Sequence, residues 1–388
     1  MSAMLTANTT AVPLTIQAIA KIDDHLDAYA QTGRFSGNVM VTRGPGTALI
    51  RSYGLANREH GIVNSLHTKF RIGSITKQFT AVAIFQLQAQ GKLDLQAPLS
   101  DYLPNYPEGD RISIHQLLTH TAGVPEYLNP EIFPEIADWV RLSTTLDQII
   151  DRFKELPLGF EPGMTFEYSN SGYILLTKVI EVVSQQSYND YVQVNICEPL
   201  GLDNTGYELP WAVVPDLAQG YIAVSNSTYL RAEPIDMSVA QGAGGLYSTL
   251  SDLNTWNAWL YSRAGGSYSV GGHSVKGLSI KDGVLSEHSL RVLLSPVVEM
   301  SSPQNQQRAY YGYGFVHDIF LGRERIRHNS SINGFRSTLV YYPEEALSII
   351  LLANSENAPV EKISKGLAAI AFEENVAEAL YRPNTEFS

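Results

Sequence analysis

The strongest constraint on the fold of this 388-residue chain is that strand-like segments stand at both of its ends, with helix-like segments between them. Near the N-terminus, residues 35–43 and 47–53 flank the turn Gly44-Pro45-Gly46, a pattern that predicts a hairpin. Near the other end, β-prone runs predict strands over 310–319, 325–328, 335–342 and 346–353. Strands at both ends with helices between them favour one antiparallel sheet built from both termini, in an α+β fold.

Helical periodicity and capping signals predict the remaining elements. The predicted helices are 16–29, 76–90, a short helix through 119 capped by Ser113, 145–156, 173–184, 252–261 capped by Ser251, 287–294 capped by Ser286, and 360–380. The terminal helices are expected to cover the sheet, and the central ones to form a second, mostly helical lobe. Residues 263–272, rich in glycine and serine, are predicted to be an exposed loop. We therefore predict one domain over 14–388, with a sheet subdomain at about 14–75 and 296–388, a helical subdomain at about 76–295, and a cleft between them.

Composition disfavours some partners and leaves the localisation open. The formal net charge of −12 leaves no basic surplus for phosphates, which disfavours nucleic acid as a partner. The chain lacks the run of about 18 apolar residues that a transmembrane helix requires. Residues 1–13 make a poor signal peptide, so the localisation is left open between the cytoplasm and export with a signal removed. The single cysteine, Cys197, allows no internal disulfide and is expected to lie in the core.

The segment Ser74-Ile75-Thr76-Lys77 places a hydroxyl and an amine one helical turn apart, on a shared helix face. Extended residues precede Ser74 and a helix follows, so Ser74 is predicted at a helix N-terminus, where free N–H groups favour developing negative charge. Burial there would lower the pKa of Lys77, as a general base requires. The same pattern also fits a helix cap followed by a solvated lysine.

Two further segments carry candidate chemistry. Tyr168-Ser169-Asn170 follows the turn 161–163, and its phenol beside a lysine would serve as a proton relay, with Asn170 orienting a substrate group. His328-Asn329-Ser330-Ser331 ends a predicted strand, whose edge would pair with an extended substrate. A half-buried structural histidine is the alternative at 328. His115 and His120 have the wrong offset for a zinc site, and no G-x-S-x-G motif is present.

In their order and spacing, these three segments resemble the serine β-lactamase and penicillin-binding protein superfamily, for which S-x-x-K is a general signature. The resemblance is greatest to the branch with class C β-lactamases, D-aminopeptidases, D-Ala-D-Ala carboxypeptidases and related esterases. It covers about 35–354, with supporting stretches at 70–79, 116–123, 161–163 with 168–173, 244–249 and 332–335. It implies a β-lactamase/transpeptidase-like fold and a chemistry that uses neither a cofactor nor a metal.

The resemblance also implies residue roles. Ser74 would be the acylated nucleophile, and Lys77 and Tyr168 would share proton transfer, with the resting base left open between them. Asn170 would orient the substrate, and the backbone N–H groups of Ser74 and Ser331 would form an oxyanion hole.

Two departures from the family pattern shape the functional prediction. His328 stands where β-lactamases of this branch usually carry lysine, and Ser330 stands where glycine is usual. Arg336 would either partly replace the missing cation or be a surface residue of its strand. We therefore predict a serine hydrolase that cleaves an ester or amide (a D-amino-acid peptide, a small ester or a β-lactam), with poor turnover of β-lactams. The alternative is a penicillin-binding sensor or an inactive relative. The expected partner is a small-molecule or short-peptide substrate, and no oligomeric state is predicted.

Overall fold

The computed structural model of this chain describes residues 13–44, 47–263, 283–300 and 308–381. Its α-helices are α1 (Ile16–Gln31), α2 (Thr76–Ala89), α3 (Ile114–Leu118), α4 (Ile136–Trp139), α5 (Leu146–Phe153), α6 (Asn170–Ser184), α7 (Tyr188–Val192), α8 (Glu198–Leu200), α9 (Gln241–Gly244), α10 (Leu250–Arg263), α11 (Glu287–Leu293), α12 (Val360–Ala371) and α13 (Val376–Tyr381). Its strands are β1 (Gly37–Arg43), β2 (Thr47–Tyr53), β3 (Leu55–Asn57), β4 (Ile62–Val63), β5 (Phe70–Arg71), β6 (Gly206–Tyr207), β7 (Tyr221–Ala223), β8 (Tyr229–Arg231), β9 (Leu246–Ser248), β10 (Val298–Glu299), β11 (Tyr310–Tyr311), β12 (Val316–Phe320), β13 (Arg323–Ile332), β14 (Phe335–Tyr342) and β15 (Leu347–Ala353). Pro45 and Gly46 of the predicted turn, and 264–272 of the predicted loop, lie outside the described residues.

Strands from both ends of the chain form one antiparallel sheet, in the order β10-β11-β12-β13-β14-β15-β1-β2. The two ends meet where β1 pairs with β15, from Gly37 opposite Ala353 to Arg43 opposite Leu347. The α+β fold class is therefore confirmed. The single domain over 14–388 stays a prediction.

The two faces of this sheet belong to two different cores, because successive side chains of a strand point to opposite faces. On the outer face, Val39 and Val41 pack with Ile22 of α1 and Ile363 of α12. On the inner face, alternate residues of the same strands join the core of the helical lobe. The terminal helices α1 and α12 therefore cover the outer face of the sheet, and the predicted helical lobe packs on its inner face.

Helix α2 lies at the centre of the helical lobe and carries the Ser-x-x-Lys segment at its start. Every residue from Thr76 to Leu87 is buried, polar side chains included. A helix buried on all sides cannot present Lys77 to solvent, so the alternative of a solvated helix lysine is excluded.

The C-terminal segment 360–380, predicted as one helix, is divided into α12 and α13. The chain reverses after α12 because Glu373 takes a left-handed φ of 61° and the N–H of Glu374 bonds back to the carbonyl of Ala369. Asn375 then caps α13 by accepting from the N–H of Ala377. Hydrophobic periodicity continues across this break, which explains the wrong prediction.

Two further predictions need correction. Ser251 does not cap α10, which begins one residue earlier; the hydroxyl of Thr249 accepts from the N–H of Asp252 instead. The predicted strand 310–319 is interrupted between β11 and β12, where Gly314 takes a φ of 90° and the N–H of Gly312 bonds to Phe315. Both deviations depend on turn geometry that alternating hydrophobicity does not reveal.

Candidate active site

Ser74 lies in a 3₁₀ turn, Gly73–Ile75, between strand β5 and helix α2. Gly73 has a left-handed φ of 47°, and a Cβ built on it would stand 2.3 Å from the hydroxyl oxygen of Ser330. Both the backbone conformation and the close approach of β13 therefore require glycine here. This turn presents Ser74 at the head of α2, as predicted from the sequence.

The amine of Lys77 is fully buried and has an acceptor for each of its three protons. Nζ donates to Ser74 Oγ at 3.2 Å, to Asn170 Oδ1 at 2.8 Å and to the carbonyl oxygen of Ala243 at 2.8 Å. Burial lowers the pKa of Lys77 to about 7, while the charge of Glu126 opposes that change. The amine that faces the Ser74 hydroxyl is thus partly neutral near physiological pH.

Tyr168 and Asn170 flank the start of helix α6. The hydroxyl of Ser169 caps this helix by accepting from the N–H of Gly172 at 3.1 Å. The Tyr168 ring lies with its centroid 4.8 Å from the amine of Lys77. Although 37% of the residue is exposed, desolvation raises the pKa of its phenol, and a hydrogen-bond interaction with Ser74 only partly opposes this. The phenol is therefore protonated at neutral pH.

His328 is buried and neutral. Its Nδ1 bonds to the carbonyl oxygen of Asn329 at 2.8 Å, so Nδ1 carries the proton and Nε2 is an acceptor. Burial and the nearby charge of Lys77 lower the pKa of His328 to about 3. The position therefore supplies no cation, unlike the lysine expected from the family pattern.

The second half of strand β13 offers a free edge beside Ser74. Strand β12 pairs with β13 only over residues 323–327, which leaves 328–332 paired to β14 alone among the described strands. Residues flanking a two-residue hairpin loop, here Ile332 and Phe335, form a hydrogen-bonded pair, and such pairs alternate along the ladder. Ser331, one position along, therefore directs its backbone N–H away from β14 and toward this free edge.

A cleft of about 920 Å³ opens between these elements. Its lining includes the predicted residues Ser74, Tyr168, Asn170, Ser330, Ser331 and Arg336. Arg336 lies opposite Ser331 on β14, and its Nε donates to the backbone oxygen of Glu356 at 2.6 Å. No carboxylate forms an ion pair with Arg336 among the residues that the structure describes.

Sequence reasoning assigned no role at the site to three residues that surround Tyr168 and Lys77, although Tyr311 was weighed as a cleft residue against a place in the strand core. His120, with a left-handed φ of 60°, packs against Tyr168 with ring centroids 4.3 Å apart and ring planes tilted by 38°, and it accepts from the N–H of Ser169 through Nδ1. The ring of Tyr311 also packs against His120, with centroids 4.6 Å apart. Glu126 bonds to the backbone of Asn170. The stretch 116–123 was the one available signal, since it marked the loop that carries His120.

Some possible features are absent from the described part of the chain. Across 13–44, 47–263, 283–300 and 308–381, no helix combines the length and apolarity needed to cross a membrane. No cluster of three or more His, Cys, Asp or Glu side chains in these ranges is arranged to bind a metal.

Two relatives share substantial sequence with this chain. PbpX of Bacillus subtilis (strain 168), named as a penicillin-binding protein, is 31% identical over 241 residues, covering 62% of this chain and 57% of PbpX. The teichoic acid D-alanine hydrolase of Staphylococcus aureus is 28% identical over 229 residues, covering 59% of this chain and 55% of that protein. The match thus spans little more than half the length of either relative.

Solved structures share the fold. A penicillin-binding protein from Bacillus halodurans is 27% identical with a TM-score of 0.73, covering 92% of this chain and 100% of that chain. A D-stereospecific amidohydrolase from Streptomyces sp. is 25% identical with a TM-score of 0.71, covering 94% of this chain and 99% of that chain. The β-lactamase/transpeptidase-like fold predicted from the sequence is confirmed. The beta-lactamase family model matches residues 19–372, and the chain belongs to that family.

Proposed function

We propose that this protein is a serine hydrolase that forms an acyl-enzyme on Ser74 and releases the acyl group to water. The observation that carries the proposal is the buried amine of Lys77, 3.2 Å from Ser74 Oγ and with a pKa lowered to about 7. A serine hydroxyl becomes a competent nucleophile when a base at hydrogen-bond distance takes its proton. The other side chains around the hydroxyl support the later proton transfers.

In the proposed acylation step, neutral Lys77 takes the Ser74 proton as Oγ bonds to the substrate carbonyl carbon. Negative charge then develops on the carbonyl oxygen, where the backbone N–H groups of Ser74 and Ser331 would stabilise it. The protonated phenol of Tyr168 donates to the leaving oxygen or nitrogen and is reprotonated by the Lys77 ammonium. We thus assign the resting base to Lys77. In deacylation, water attacks the ester, its proton passes to Lys77, and Ser74 Oγ leaves with a proton.

We propose an ester or amide of a D-amino acid as the substrate. The names of two relatives support this class: one is a teichoic acid D-alanine hydrolase, and the other is a D-stereospecific amidohydrolase. In this chain, the free edge at 328–332 would bind an extended acyl group as an added strand. The charge of Arg336, without an acidic partner among the described residues, would attract a substrate carboxylate.

The test compares wild type with Ser74→Ala, using Ser113→Ala as a matched control because Ser113 also begins a helix but lies outside the site. Each protein is incubated with a fluorophosphonate, a penicillin, p-nitrophenyl acetate and the p-nitroanilides of D- and L-alanine, and followed by intact mass and product release. We expect labelling and D-selective turnover in wild type and in the control, and neither in Ser74→Ala.

Two results would contradict the proposal in different ways. Equal labelling of Ser74→Ala would remove Ser74 as the nucleophile. A stable penicillin adduct on wild type, with no turnover of any ester or amide, would identify a penicillin-binding sensor. The hydroxyl of Ser330 beside Gly73 is the feature that would favour that second outcome, because it narrows the approach to Ser74.

A further inference from the structure

Glu126 is a half-buried residue whose carboxylate the proposed chemistry does not use, yet hydrogen bonds connect it to Lys77. Its Oε2 accepts from the backbone N–H of Asn170 at 2.5 Å, and its Oε1 accepts from the backbone N–H of Leu128 at 3.1 Å. The side chain of Asn170 in turn accepts from the amine of Lys77 at 2.8 Å. The carboxylate of Glu126 thus positions Asn170, whose side chain in turn positions the amine of Lys77.

Glu126 also acts on Lys77 through its charge. The negative charge raises the pKa of Lys77, and the positive charge of Lys77 lowers the pKa of Glu126, which burial raises. The other groups that face the amine carry no negative charge at neutral pH; they are Ser74, Asn170, the rings of Tyr168 and Tyr173, His120 and His328. Among the described residues, Glu126 is therefore the acidic group that acts on the amine.

We propose that Glu126 is a positioning residue, whose carboxylate fixes the start of α6 and balances the Lys77 ammonium, and so sets the pH at which Lys77 can accept the Ser74 proton. This inference rests on the proposed function, because it needs Lys77 to act as the base for Ser74. Burial raises the pKa of Glu126, and two backbone N–H donors oppose this by favouring the ionised form of the carboxylate. Because the ionised carboxylate of Glu126 stabilises the Lys77 ammonium, Lys77 loses its proton at a higher pH than it would without this charge.

The test is the pH dependence of Ser74 acylation by a fluorophosphonate, measured by intact mass for wild type, Glu126→Gln and Glu126→Asp. Removing the negative charge lets Lys77 lose its proton at lower pH. We therefore expect the acidic limb of the Glu126→Gln profile to move down by about one pH unit, the lower end of typical effects of a nearby opposite charge. Glu126→Asp keeps the negative charge, so the acidic limb of its profile is expected near the wild-type pH even if its rate of Ser74 acylation falls.

Asp252→Asn is the matched control. Asp252 is a buried residue whose carboxylate also accepts a backbone N–H, from Asn204 at 2.8 Å, but it lies outside the cleft. We expect this change to lower stability and leave the acidic limb in place. If Glu126→Gln is not recovered folded, Glu126→Asp and Glu126→Asn are compared instead, because these two side chains have equal length and differ in charge. The acidic limb of the Glu126→Asn profile must then lie at a lower pH than that of Glu126→Asp.

Two results have separate meanings. An unmoved limb in a folded, Ser74-labelled Glu126→Gln would overturn this inference and leave the proposed function standing. Absence of label on Ser74 in wild type would overturn the proposed function itself.

Discussion

Lys77 is the residue on which the reactivity of the proposed site depends. Its three acceptors hold the amine in place, and burial brings its pKa to about 7, so that a useful fraction is neutral at physiological pH. Because only neutral lysine accepts a proton, acylation of wild type should rise as the pH increases through about 7 and level off above it.

Replacing Lys77 tests this dependence directly. Lys77→Ala leaves the Ser74 hydroxyl without a base, and we expect acylation by p-nitrophenyl acetate to slow at least about 100-fold in stopped-flow measurements of p-nitrophenol release. Lys178→Ala, which removes a surface ion pair with Asp147, is expected to react at the wild-type rate. A near-normal rate in Lys77→Ala would show that the amine takes no part.

Arg336 should influence only substrates that carry a carboxylate. A charge-assisted hydrogen bond contributes about 1.5–3 kcal/mol, so Arg336→Gln is expected to raise KM at least about tenfold for a D-alanyl ester whose leaving group bears a carboxylate. KM for the uncharged p-nitrophenyl acetate should not change. Arg291→Gln, on α11, is the control. An equal rise for both substrates would indicate that Arg336 supports the structure of the cleft rather than binding charge.

Residues differ in how far the sequence alone could place them. Ser74 and Lys77 are three apart on a helix, so their proximity followed from helical spacing. The contact of Tyr168 with both was an expectation drawn from the family resemblance, and the structure places its ring beside the amine. Glu126 could not be found in this way, because its contact with Asn170 depends on how the loop after α3 packs on α6. The catalytic roles of Ser74, Lys77 and Tyr168 stay predictions, and the positioning role of Glu126 stays a proposal.

At the scale of elements, the cap of α6 links stability to activity. Ser169→Ala removes the acceptor for the N–H of Gly172 and should lower the free energy of unfolding by about 1 kcal/mol, measured by urea denaturation. Since Tyr168 and Asn170 adjoin this cap, acylation should also slow.

Helix α5 provides the comparison for this prediction. Thr145→Ala removes a similar cap, part of a capping box on an exposed helix start, and should cost a similar free energy without any effect on acylation. Equal activity in the two variants would mean that the cap of α6 does not position the site.

Local signals predicted elements well where a side chain itself caps the helix. Ser113, Thr145 and Ser286 each accept the backbone N–H that their helix start leaves unpaired, as the sequence pattern indicated for Ser113 and Ser286. The failures arose where backbone conformation decides the boundary, as at Glu373 between α12 and α13. The sheet was predictable as a set of strands at both ends, but its order and register follow from packing between distant segments.

The whole molecule should lose stability in mild acid. In the part of the chain that the structure describes, burial lowers the pKa of five histidines: His25, His115, His120, His317 and His328. A base with a lower pKa in the folded chain than in the unfolded chain binds protons better when unfolded. Its contribution to stability is therefore complete above about pH 6.5 and declines as the pH falls toward the folded value.

For His317, whose pKa is lowered to about 4, the decline lies between about pH 6.5 and 4 and amounts to at most about 1.4 kcal/mol per pH unit. His317→Gln should therefore flatten the dependence of the unfolding free energy on pH in this window, measured by urea titration. His67→Gln, at an exposed position, should retain the wild-type slope. A wild-type stability independent of pH from 7 to 5 would contradict the expectation.

The pairing of β1 with β15 also bears on how the protein is made. The ribosome delivers the hairpin of β1 and β2 early, but the neighbour of β1 within the sheet is completed only at Ala353. Throughout the intervening synthesis, one side of β1 is an open template for pairing with other chains. Ser74 and Lys77 emerge in that interval too, well before the segment 328–332 that borders them. We therefore expect that covering this edge of β1 during translation would limit aggregation of the nascent chain until its last strands arrive.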